Sequence, residues 1–459
     1  MRLWEKVVTK MAERLFGTDG IRGLANTYPM TADVALRVGR AAGYILKKEQ
    51  RLHTILIGKD TRRSCYMIEN ALTAGLCSMG LRVLLTGPLP TPGVSYIARS
   101  LRCDGAIMIS ASHNPYEDNG IKIFGADGYK IPDALEDEIQ RLVLTGEIDQ
   151  VRPTGEHIGT ARRIDDAVGR YIEFVKNSFP KGMRLDGIRM VVDCANGASY
   201  RVGPNTFAEL GAEVIAIGNQ PNGLNINEGF GSVYPEEMRA TVIREKADVG
   251  VAFDGDGDRI AMADENGRLI DGNAILAIVG TDMLARAALP GNALVTTIMG
   301  NGGLEKALEP HGGKVVRSDV GDRNVVETMR REGLTVGGEP SGHIVMLDYN
   351  PTGDAMVAAL QTLAIMIRRE QPLSLIGQVY HEMPECLLRV PCRAERRPDV
   401  ESLACIAREM EPEMGGQGRV VVRLSGTEPV VRVMVQHQEV REARHWAELV
   451  ADRVAALVV

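Results

Sequence analysis

The chain has 459 residues, of which 44% are hydrophobic and 25% charged, so it is long enough for three or four globular domains. Lys and Arg number 53 against 60 Asp and Glu, which gives a net charge of −7. This balance excludes the basic excess of a protein that binds nucleic acid or an anionic membrane, while leaving room for a local site for a small anion.

Short apolar or β-branched runs alternate with amphipathic stretches along the first four-fifths of the chain. The apolar runs predict strands at residues 53–57, 82–85, 106–109, 189–192, 213–217, 249–253 and 294–297. The amphipathic stretches predict helices at residues 31–48, 66–79, 235–246 and 302–311. This alternation is typical of mixed α/β domains with largely parallel sheets.

The pattern changes in the last fifth of the chain. Strands at 419–424 and 430–436, followed by a helix at 439–457, predict a small α+β domain. Candidate domain boundaries are the polar stretch 151–163, the turn 264–267 and the segment 369–374.

Ser112 lies in a loop that follows the predicted strand 106–109. After this strand come small polar residues, a histidine and an Asn-Pro turn signal. A hydroxyl beyond the carboxyl end of a strand stands where α/β sheets usually build their chemistry. The local pattern is compatible with a nucleophile, with a phosphate carrier and with a simple turn former.

Three carboxylates alternate with glycine directly after the predicted strand 249–253. Asp254, Asp256 and Asp258 can converge on one hard cation, Mg²⁺ or Ca²⁺, because the glycines let the backbone curl. Glu265 stands where an EF-hand has its last ligand, but the preceding strand argues against that loop. Unpaired carboxylates this close repel one another, so a cation explains the pattern better than a charged turn. A phosphate oxygen would suit the remaining coordination position.

Other polar segments suit a phosphorylated sugar, although each also has an ordinary structural interpretation. Residues 423–432 place hydroxyl residues and a glycine between arginines, as in a phosphate cradle or a hairpin turn. Residues 338–343 offer Glu, Ser and His for sugar hydroxyls and proton transfer, or form a polar turn. Residues 16–23 are compatible with a turn or with an anion contact, and Lys122 taken alone is typical of a solvated lysine. Together with Ser112 and the carboxylates, these segments indicate phosphoryl transfer, which depends on positioning and charge neutralisation.

The cysteines and the longest apolar runs indicate the compartment. Seven cysteines are scattered without a CxxC pair, which favours a reduced environment over a disulfide framework. No apolar run approaches the roughly 20 residues that span a bilayer, and residues 1–15 lack the apolar core of a signal peptide. We expect a cytoplasmic protein with neither a membrane nor a nucleic-acid partner.

The ordered set of segments 16–23, 109–115, 254–259, 338–343 and 423–432 resembles the α-D-phosphohexomutase family over essentially the full chain. Within that family, the blocks 17–23, 111–122 and 320–323 are similar to the branch that interconverts glucosamine 6-phosphate and glucosamine 1-phosphate. The resemblance implies three related mixed α/β domains plus a smaller C-terminal α+β domain around a central cleft. The domain with the phosphoserine loop is expected at residues 1–160 and the domain with the metal loop at residues 161–265. The domain with the sugar-binding loop is expected at residues 266–373 and the domain with the phosphate-binding loop at residues 374–459.

The resemblance also implies a role for each matched residue. The catalytic residues it implies, which carry or assist the transferred phosphoryl group, are Ser112, Lys122, His113, Arg259 and Arg22, with Lys122 as general base. The Mg²⁺ ligands it implies are the phosphorylated Ser112, Asp254, Asp256 and Asp258. The substrate-binding residues it implies are Glu339, Ser341 and His343 for the sugar, and Arg423, Ser425, Gly426, Thr427 and Arg432 for the non-reacting phosphate.

The implied reaction passes through a 1,6-bisphosphate that turns end for end in the cleft. The implied cofactors are Mg²⁺ and glucosamine or glucose 1,6-bisphosphate as activating donor, and the partner is a hexosamine phosphate. The product would supply the synthesis of UDP-N-acetylglucosamine, and a homodimer is an option. Two alternatives stay open: a phosphomannomutase or phosphoglucomutase, because Pro340 stands where the glucosamine branch usually has Gln, and a Mg²⁺-dependent sugar phosphatase.

Overall fold

The computed structural model describes residues 14–17, 19–47, 51–392, 398–424 and 430–458. Within these ranges the chain forms sheets of seven, five, four and three strands. None of the seven cysteines, all within the described ranges, forms a disulfide, as the sequence predicts. No helix in the described ranges combines the length and the apolar character that crossing a bilayer requires.

The first sheet has seven strands in the order β1-β2-β6-β5-β3-β4-β7. These strands are β1 (Phe16–Gly17), β2 (Gly20–Leu24), β3 (Thr54–Lys59), β4 (Arg82–Pro88), β5 (Gly105–Ile109), β6 (Asp118–Gly125) and β7 (Ala161–Arg163). Helices of this part are α1 (Ala32–Leu46), α2 (Cys65–Ser78), α3 (Thr91–Ser100) and α4 (Asp133–Thr145). Because β7 pairs in parallel with β4, this sheet continues past residue 160, where the sequence predicts the first domain to end.

The second sheet has the order β12-β11-β10-β8-β9. Its strands are β8 (Arg189–Asp193), β9 (Glu213–Ile217), β10 (Val249–Phe253), β11 (Ile260–Asp264) and β12 (Leu269–Ile270). Its helices are α5 (Ala167–Ser178), α6 (Val202–Glu209) and α7 (Glu236–Glu245). β10 lies parallel to β8 but pairs with β11 as an antiparallel hairpin, so the acidic segment 254–259 is a hairpin connection.

The third sheet has the order β14-β13-β15-β16. Its strands are β13 (Ala293–Thr297), β14 (Lys314–Ser318), β15 (Val336–Gly338) and β16 (Ile344–Met346). Its helices are α8 (Gly272–Ala285), α9 (Gly303–Leu308), α10 (Asp322–Glu332), α11 (Ala355–Arg369) and α12 (Leu373–Ile376). The antiparallel pair β15 and β16 is joined by the segment 339–343, so the predicted sugar-binding loop is again a hairpin connection.

The fourth sheet is antiparallel, in the order β17-β19-β18. Its strands are β17 (Glu385–Pro391), β18 (Gly418–Leu424) and β19 (Val430–His437). Its helices are α13 (Val400–Met410) and α14 (Val440–Val458). The predicted fold class, three mixed α/β units and a smaller α+β unit, is confirmed. The bounds at 160, 265 and 373 stay a prediction.

The first three sheets share one hydrophobic core. Successive residues of a strand point to opposite faces, so each of these sheets presents one face to the shared core and the other away from it. On β3, for example, Leu56 belongs to this shared core, whereas Ile55 and Ile57 pack on the opposite face of the sheet. β8 repeats the pattern with Val192 in the shared core and Val191 facing away. The three units are therefore fastened together by apolar packing.

The fourth domain has a core of its own, built from β17 to β19, α13 and α14. Its described hydrogen bonds to the third domain centre on the segment 298–302. Arg419 donates to the carbonyl oxygens of Ile298 and Gly300 at 2.5 and 2.9 Å, and the side chain of Gln436 accepts from the backbone N–H of Gly302 at 2.9 Å. This contact is polar, unlike the packing among the other three domains.

Candidate active site

Ser112 lies in the loop between β5 and β6, buried to 1% exposure. Its hydroxyl donates to Asp254 Oδ2 at 2.5 Å and lies 3.3 Å from His113 Nδ1. The backbone φ of Ser112 is +54°, in the left-handed region that costs a residue with a Cβ roughly 1–2 kcal/mol. Such a conformation persists only where the surroundings impose it, so the loop holds this hydroxyl in a fixed place.

Two side chains from different domains hold the backbone of the Ser112 loop. Arg62, fully buried, donates to the carbonyl oxygens of Ser112 and Asn114, each at 2.9 Å. Asn227, in the second domain, donates to the same two oxygens, each at 2.9 Å. Arg62 is oriented in turn by Asp60, whose Oδ2 accepts from Nε at 2.8 Å. Sequence reasoning missed both donors, because the partners are backbone atoms distant along the chain.

We expect Arg62→Lys to lower kcat by on the order of 10²-fold, because a lysine cannot reproduce the planar fork that fixes Ser112. The measurement is steady-state kinetics of sugar-phosphate isomerisation, in which KM should change little. Arg63→Lys is the matched control, since Arg63 is the exposed neighbour on the same loop. Wild-type kcat in Arg62→Lys would contradict the positioning role.

The three predicted carboxylates meet in the hairpin between β10 and β11. Asp254, Asp256 and Asp258 are buried, and one oxygen from each can lie within 4.8 Å of the others. Gly257 turns the chain with φ +69°, and a Cβ there would come within 2.6 Å of Ser199 Oγ. Asp254 Oδ1 accepts from the backbone N–H groups of residues 258 and 259, both at 3.2 Å. The glycines thus curl the backbone as the sequence predicts.

The charges of this carboxylate cluster are unequally balanced. Burial and the neighbouring charges of Asp258 and Asp256 raise the pKa of Asp254 well above its usual range. Burial opposes ionisation of Asp256 too, but the Lys122 ammonium and the Thr91 hydroxyl outweigh it and hold the pKa of Asp256 below its usual range. The cluster therefore has a local deficit of positive charge around Asp254.

The residues present fit a divalent cation. Asp256 Oδ1 and Asp258 Oδ1 are buried and have no hydrogen-bond partner among the described residues. Buried carboxylate oxygens are normally satisfied, so two such atoms beside a third carboxylate point to a missing ligand. An all-oxygen donor set is the one that Mg²⁺ prefers, and it leaves coordination positions for a phosphoryl group.

Lys122, on β6, is buried to 1% exposure rather than solvated. Its Nζ lies 2.9 Å from Asp256 Oδ2 and 3.4 Å from both Asp258 Oδ2 and Asp19 Oδ2. Burial alone would lower the pKa of Lys122, but the charges of Asp19, Asp256 and Asp258 raise it well above its usual range. In this arrangement Lys122 is an ammonium ion beside the carboxylate cluster of Asp254, Asp256 and Asp258.

The other predicted catalytic residues surround the Ser112 loop. Arg22 pairs with Asp19 and donates to the carbonyl oxygen of Ala111 at 3.5 Å. Burial, together with the charges of Arg259 and Arg22, lowers the pKa of His113 to about 4. His113 is therefore a neutral imidazole at neutral pH, placed against the Ser112 hydroxyl.

A cavity of about 530 Å³ lies where the first, second and third domains meet. All three residues of the predicted sugar-binding loop line it, together with two of the predicted catalytic arginines: Glu339, Ser341, His343, Arg22 and Arg259. Ser112 and Lys122 lie behind this lining with 1% exposure each. The cavity is of the size of a small-molecule site and has the polar groups that a sugar phosphate requires.

Acidic groups near this cavity that sequence reasoning did not assign are Asp19 and Asp322, both part of its lining. Asp19 stands in the segment 16–23 and Asp322 in the segment 320–323, so the motifs contained them without indicating a role. Lys130, which contacts both carboxylates, had no signal in the sequence.

The predicted phosphate cradle is only partly within the described residues. Arg423 on β18 and Arg432 on β19 are direct cross-strand neighbours. Burial and the adjacent charge of Arg432 lower the pKa of Arg423, an environment that a bound anion would relieve. Both arginines lie outside the lining of the 530 Å³ cavity. Ser425, Gly426 and Thr427 lie outside the described residues.

Comparison with known proteins gives matches along nearly the whole chain. Domain models of phosphoglucomutase/phosphomannomutase match in order: alpha/beta/alpha domain I at residues 13–149, domain II at 169–267, domain III at 271–383 and the C-terminal domain at 387–453. The phosphoglucosamine mutases of Pelobacter propionicus and Anaeromyxobacter dehalogenans are each 52% identical, over 446 and 452 residues, covering 96% of this chain and 98% of theirs.

Solved structures share the fold at lower identity. A phosphoglucomutase/phosphomannomutase family protein from Burkholderia thailandensis superposes with a TM-score of 0.78 at 22% identity, covering 96% of this chain and 98% of that one. N-acetylphosphoglucosamine mutase of Aspergillus fumigatus, solved with GlcNAc-6P and magnesium, gives 0.64 at 19% identity, covering 99% of each chain. From the domain models and the 52% identical relatives, this chain belongs to the phosphoglucomutase/phosphomannomutase family of phosphohexose mutases.

Proposed function

We propose that this protein interconverts glucosamine 6-phosphate and glucosamine 1-phosphate, with Ser112 as phosphoryl carrier. The observation that carries the proposal is the Ser112 hydroxyl, held 2.5 Å from Asp254 within the three-carboxylate cluster and behind the sugar-sized cavity. The relatives that are 52% identical over nearly the whole chain, named phosphoglucosamine mutases, support the amino sugar as substrate.

The proposed reaction consists of two phosphoryl transfers in opposite directions. In the first, the bond between phosphorus and Ser112 Oγ breaks as a new bond forms to the free hydroxyl of the hexosamine monophosphate. The hydroxyl proton passes to Lys122 as general base, Ser112 Oγ takes up a proton from solvent as it leaves, and the product is the 1,6-bisphosphate. After the bisphosphate has turned end for end, its other phosphoryl group returns to Ser112, whose hydroxyl proton is released to solvent, and Lys122 gives its proton to the sugar oxygen that leaves.

Lys122 fits this base role only when its surroundings change. The carboxylates of Asp256 and Asp258 contribute to its high pKa in the arrangement described above. When these carboxylates bind a cation, their charge no longer supports the Lys122 ammonium, and its pKa falls toward that of a usable base. A Mg²⁺ ion held by Asp254, Asp256, Asp258 and the phosphorylated Ser112 would supply positive charge to the transferring phosphoryl oxygens.

The remaining groups are proposed to bind and orient the substrate. Glu339, Ser341 and His343 face the cavity, where they can contact sugar hydroxyls in either orientation of the bisphosphate. Arg22, Arg259 and His113 are proposed to support the phosphoserine. The cradle residues Arg423, Ser425, Gly426, Thr427 and Arg432 are proposed to hold the phosphate that does not react.

We propose glucosamine or glucose 1,6-bisphosphate as the activating donor that loads Ser112. Seven cysteines that form no disulfide in the described ranges support a cytoplasmic location, where the product would enter the synthesis of UDP-N-acetylglucosamine. A homodimer and the absence of a nucleic-acid partner stay predictions, the former to be tested by sedimentation equilibrium.

The direct test compares hexose phosphates side by side with the phosphorylated enzyme. We expect kcat/KM for glucosamine phosphate to exceed that for glucose and mannose phosphates by at least about tenfold, because a site that pairs with an amino group rejects analogues that lack it. Faster turnover of glucose or mannose phosphate would contradict the proposal and favour the alternative that Pro340 suggests. Release of inorganic phosphate as the main product would indicate a phosphatase.

A further inference from the structure

The segment 320–323, which opens α10, joins the third domain to the first beside the 530 Å³ cavity. Val320, Gly321 and Asp322 line this cavity, and Asp322 and Arg323 point to the first domain. The segment was recognisable in the sequence, yet the reaction proposed above assigns it no task. Its contacts show what it does in the fold.

The first contact is made by Lys130, a side chain with 10% exposure in the first domain. Its Nζ pairs with Asp19 of the first domain and with Asp322 of the third domain at the same time. Asp19 in turn faces Lys122 Nζ at 3.4 Å and pairs with Arg22. Lys130 therefore links the third domain to the carboxylate that borders the proposed general base.

The second contact is made by Arg323, the residue after Asp322. Its guanidinium donates to both carboxylate oxygens of Glu136 on α4, at 2.7 and 3.2 Å, and also pairs with Asp133. Glu136 is buried to 2% exposure, so this fork is shielded from water. Two adjacent residues of the third domain thus each form an ion pair with the first domain.

A third contact connects the same segment to the sugar-binding loop. The backbone N–H of Gly321 donates to Glu339 Oε1 at 3.2 Å. Displacement of the segment from the first domain would therefore strain or break a contact of Glu339, which is proposed to contact the sugar. The rest of the sugar-binding loop is held by the second domain, where the backbone N–H of Ile260 donates to the carbonyl oxygen of Gly342 at 3.0 Å.

We infer that the segment 320–323 is a latch that retains the bisphosphate in the cleft, with Lys130 and Arg323 as its positioning residues. The inference rests on the proposed mutase function. Without Lys130, Asp19 would still pair with Arg22 and Lys122. Among its described ion pairs, Asp322 would keep only His343 at 3.7 Å, and an ion pair that holds the segment against the first domain would be lost. The bisphosphate must turn without leaving, because its loss leaves Ser112 without a phosphoryl group.

The measurable quantity is the number of isomerisations that each phosphorylated enzyme completes before the bisphosphate escapes. The experiment loads Ser112 with labelled phosphate, adds glucosamine 6-phosphate without bisphosphate and counts both product and released labelled bisphosphate. We expect Lys130→Met and Arg323→Met each to lower this number by at least about tenfold, because breaking one buried ion pair has an effect of that size or larger. Added glucose 1,6-bisphosphate should restore most of the lost rate.

Matched variants separate the latch from general destabilisation. Arg141→Met removes an exposed arginine of α4 that pairs within the first domain, with Glu138 and Glu147, and should leave the number of turnovers unchanged. Glu136→Gln should act in the same direction as Arg323→Met, and the double variant should show little further loss, because both changes break one pair. Thermal melting checks that each variant is folded.

The possible outcomes test the latch separately from the proposed mutase function. Normal turnovers per phosphoenzyme in folded Lys130→Met and Arg323→Met would overturn the latch, even if kcat were reduced, while leaving the mutase function intact. A lower rate that added bisphosphate does not restore would also overturn it, since the defect would then lie in the chemical step. Failure of the phosphorylated wild type to isomerise glucosamine phosphate would overturn the proposed function, and the latch with it.

Discussion

Replacing Ser112 with alanine is expected to abolish isomerisation, lowering kcat by on the order of 10⁴–10⁶-fold, the range seen when a catalytic nucleophile is removed. The physical reason is that no other described hydroxyl lies 2.5 Å from Asp254, next to the cluster of three carboxylates. Intact-mass spectrometry should show a phosphoryl adduct on the wild-type protein that disappears in the variant, and peptide mapping should place it on Ser112.

Ser110→Ala provides a matched control in the same loop. The Ser110 hydroxyl accepts from the backbone N–H of Ser112 at 2.9 Å and donates to Asp60 at 2.7 Å, so its loss weakens the loop without removing the carrier. We expect this variant to keep the phosphoryl adduct and measurable turnover. Substantial mutase activity in Ser112→Ala would contradict the phosphoserine mechanism and would require a different phosphoryl carrier.

Removal of the divalent cation should have the second largest effect. A cation contributes several kcal/mol of charge stabilisation in phosphoryl transfer, so we expect chelation to lower kcat by on the order of 10²–10⁴-fold, with recovery when Mg²⁺ is added back. Asp256→Asn and Asp258→Asn should each raise the Mg²⁺ concentration needed for half-maximal activity, because each removes a buried oxygen that lacks a protein partner.

The control for these variants lies at the other end of the same strand. Asp248 is exposed just before β10, and its carboxylate accepts from the backbone N–H of Arg189 at 2.8 Å. Asp248→Asn should leave the Mg²⁺ dependence unchanged. Full activity of the wild type after exhaustive chelation would contradict the metal site, and an unchanged Mg²⁺ requirement in both cluster variants would place the cation elsewhere.

Local sequence pattern was sufficient to predict most of the secondary structure. Strands such as Glu213–Ile217 and Val249–Phe253 have the predicted bounds, because a short apolar run between polar turns has few other solutions. The hairpin partners β6 and β11 were not predicted, and β16 was indicated only as a strand-like segment after residues 338–343. They follow loops that are rich in functional residues, and their pairing depends on contacts across the sheet that a single run of residues does not reveal.

The same distinction between local pattern and long-range contact applies to the candidate site. The carboxylates Asp254, Asp256 and Asp258 could be predicted because adjacent residues build the cluster themselves. Lys122 was ambiguous, because its neighbours along the chain give no sign that three carboxylates from distant segments surround it. Long-range partners of this kind become visible only when the fold brings them together.

The separate core of the fourth domain determines what opening the cleft costs. A rotation of this domain away from the third domain would break hydrogen bonds at the segment 298–302, each worth roughly 1 kcal/mol net, without exposing the apolar residues of either core. Rotation of the first three domains against one another would instead divide a shared apolar core. Among the contacts that join the domains, those of the fourth domain are therefore the least costly to break.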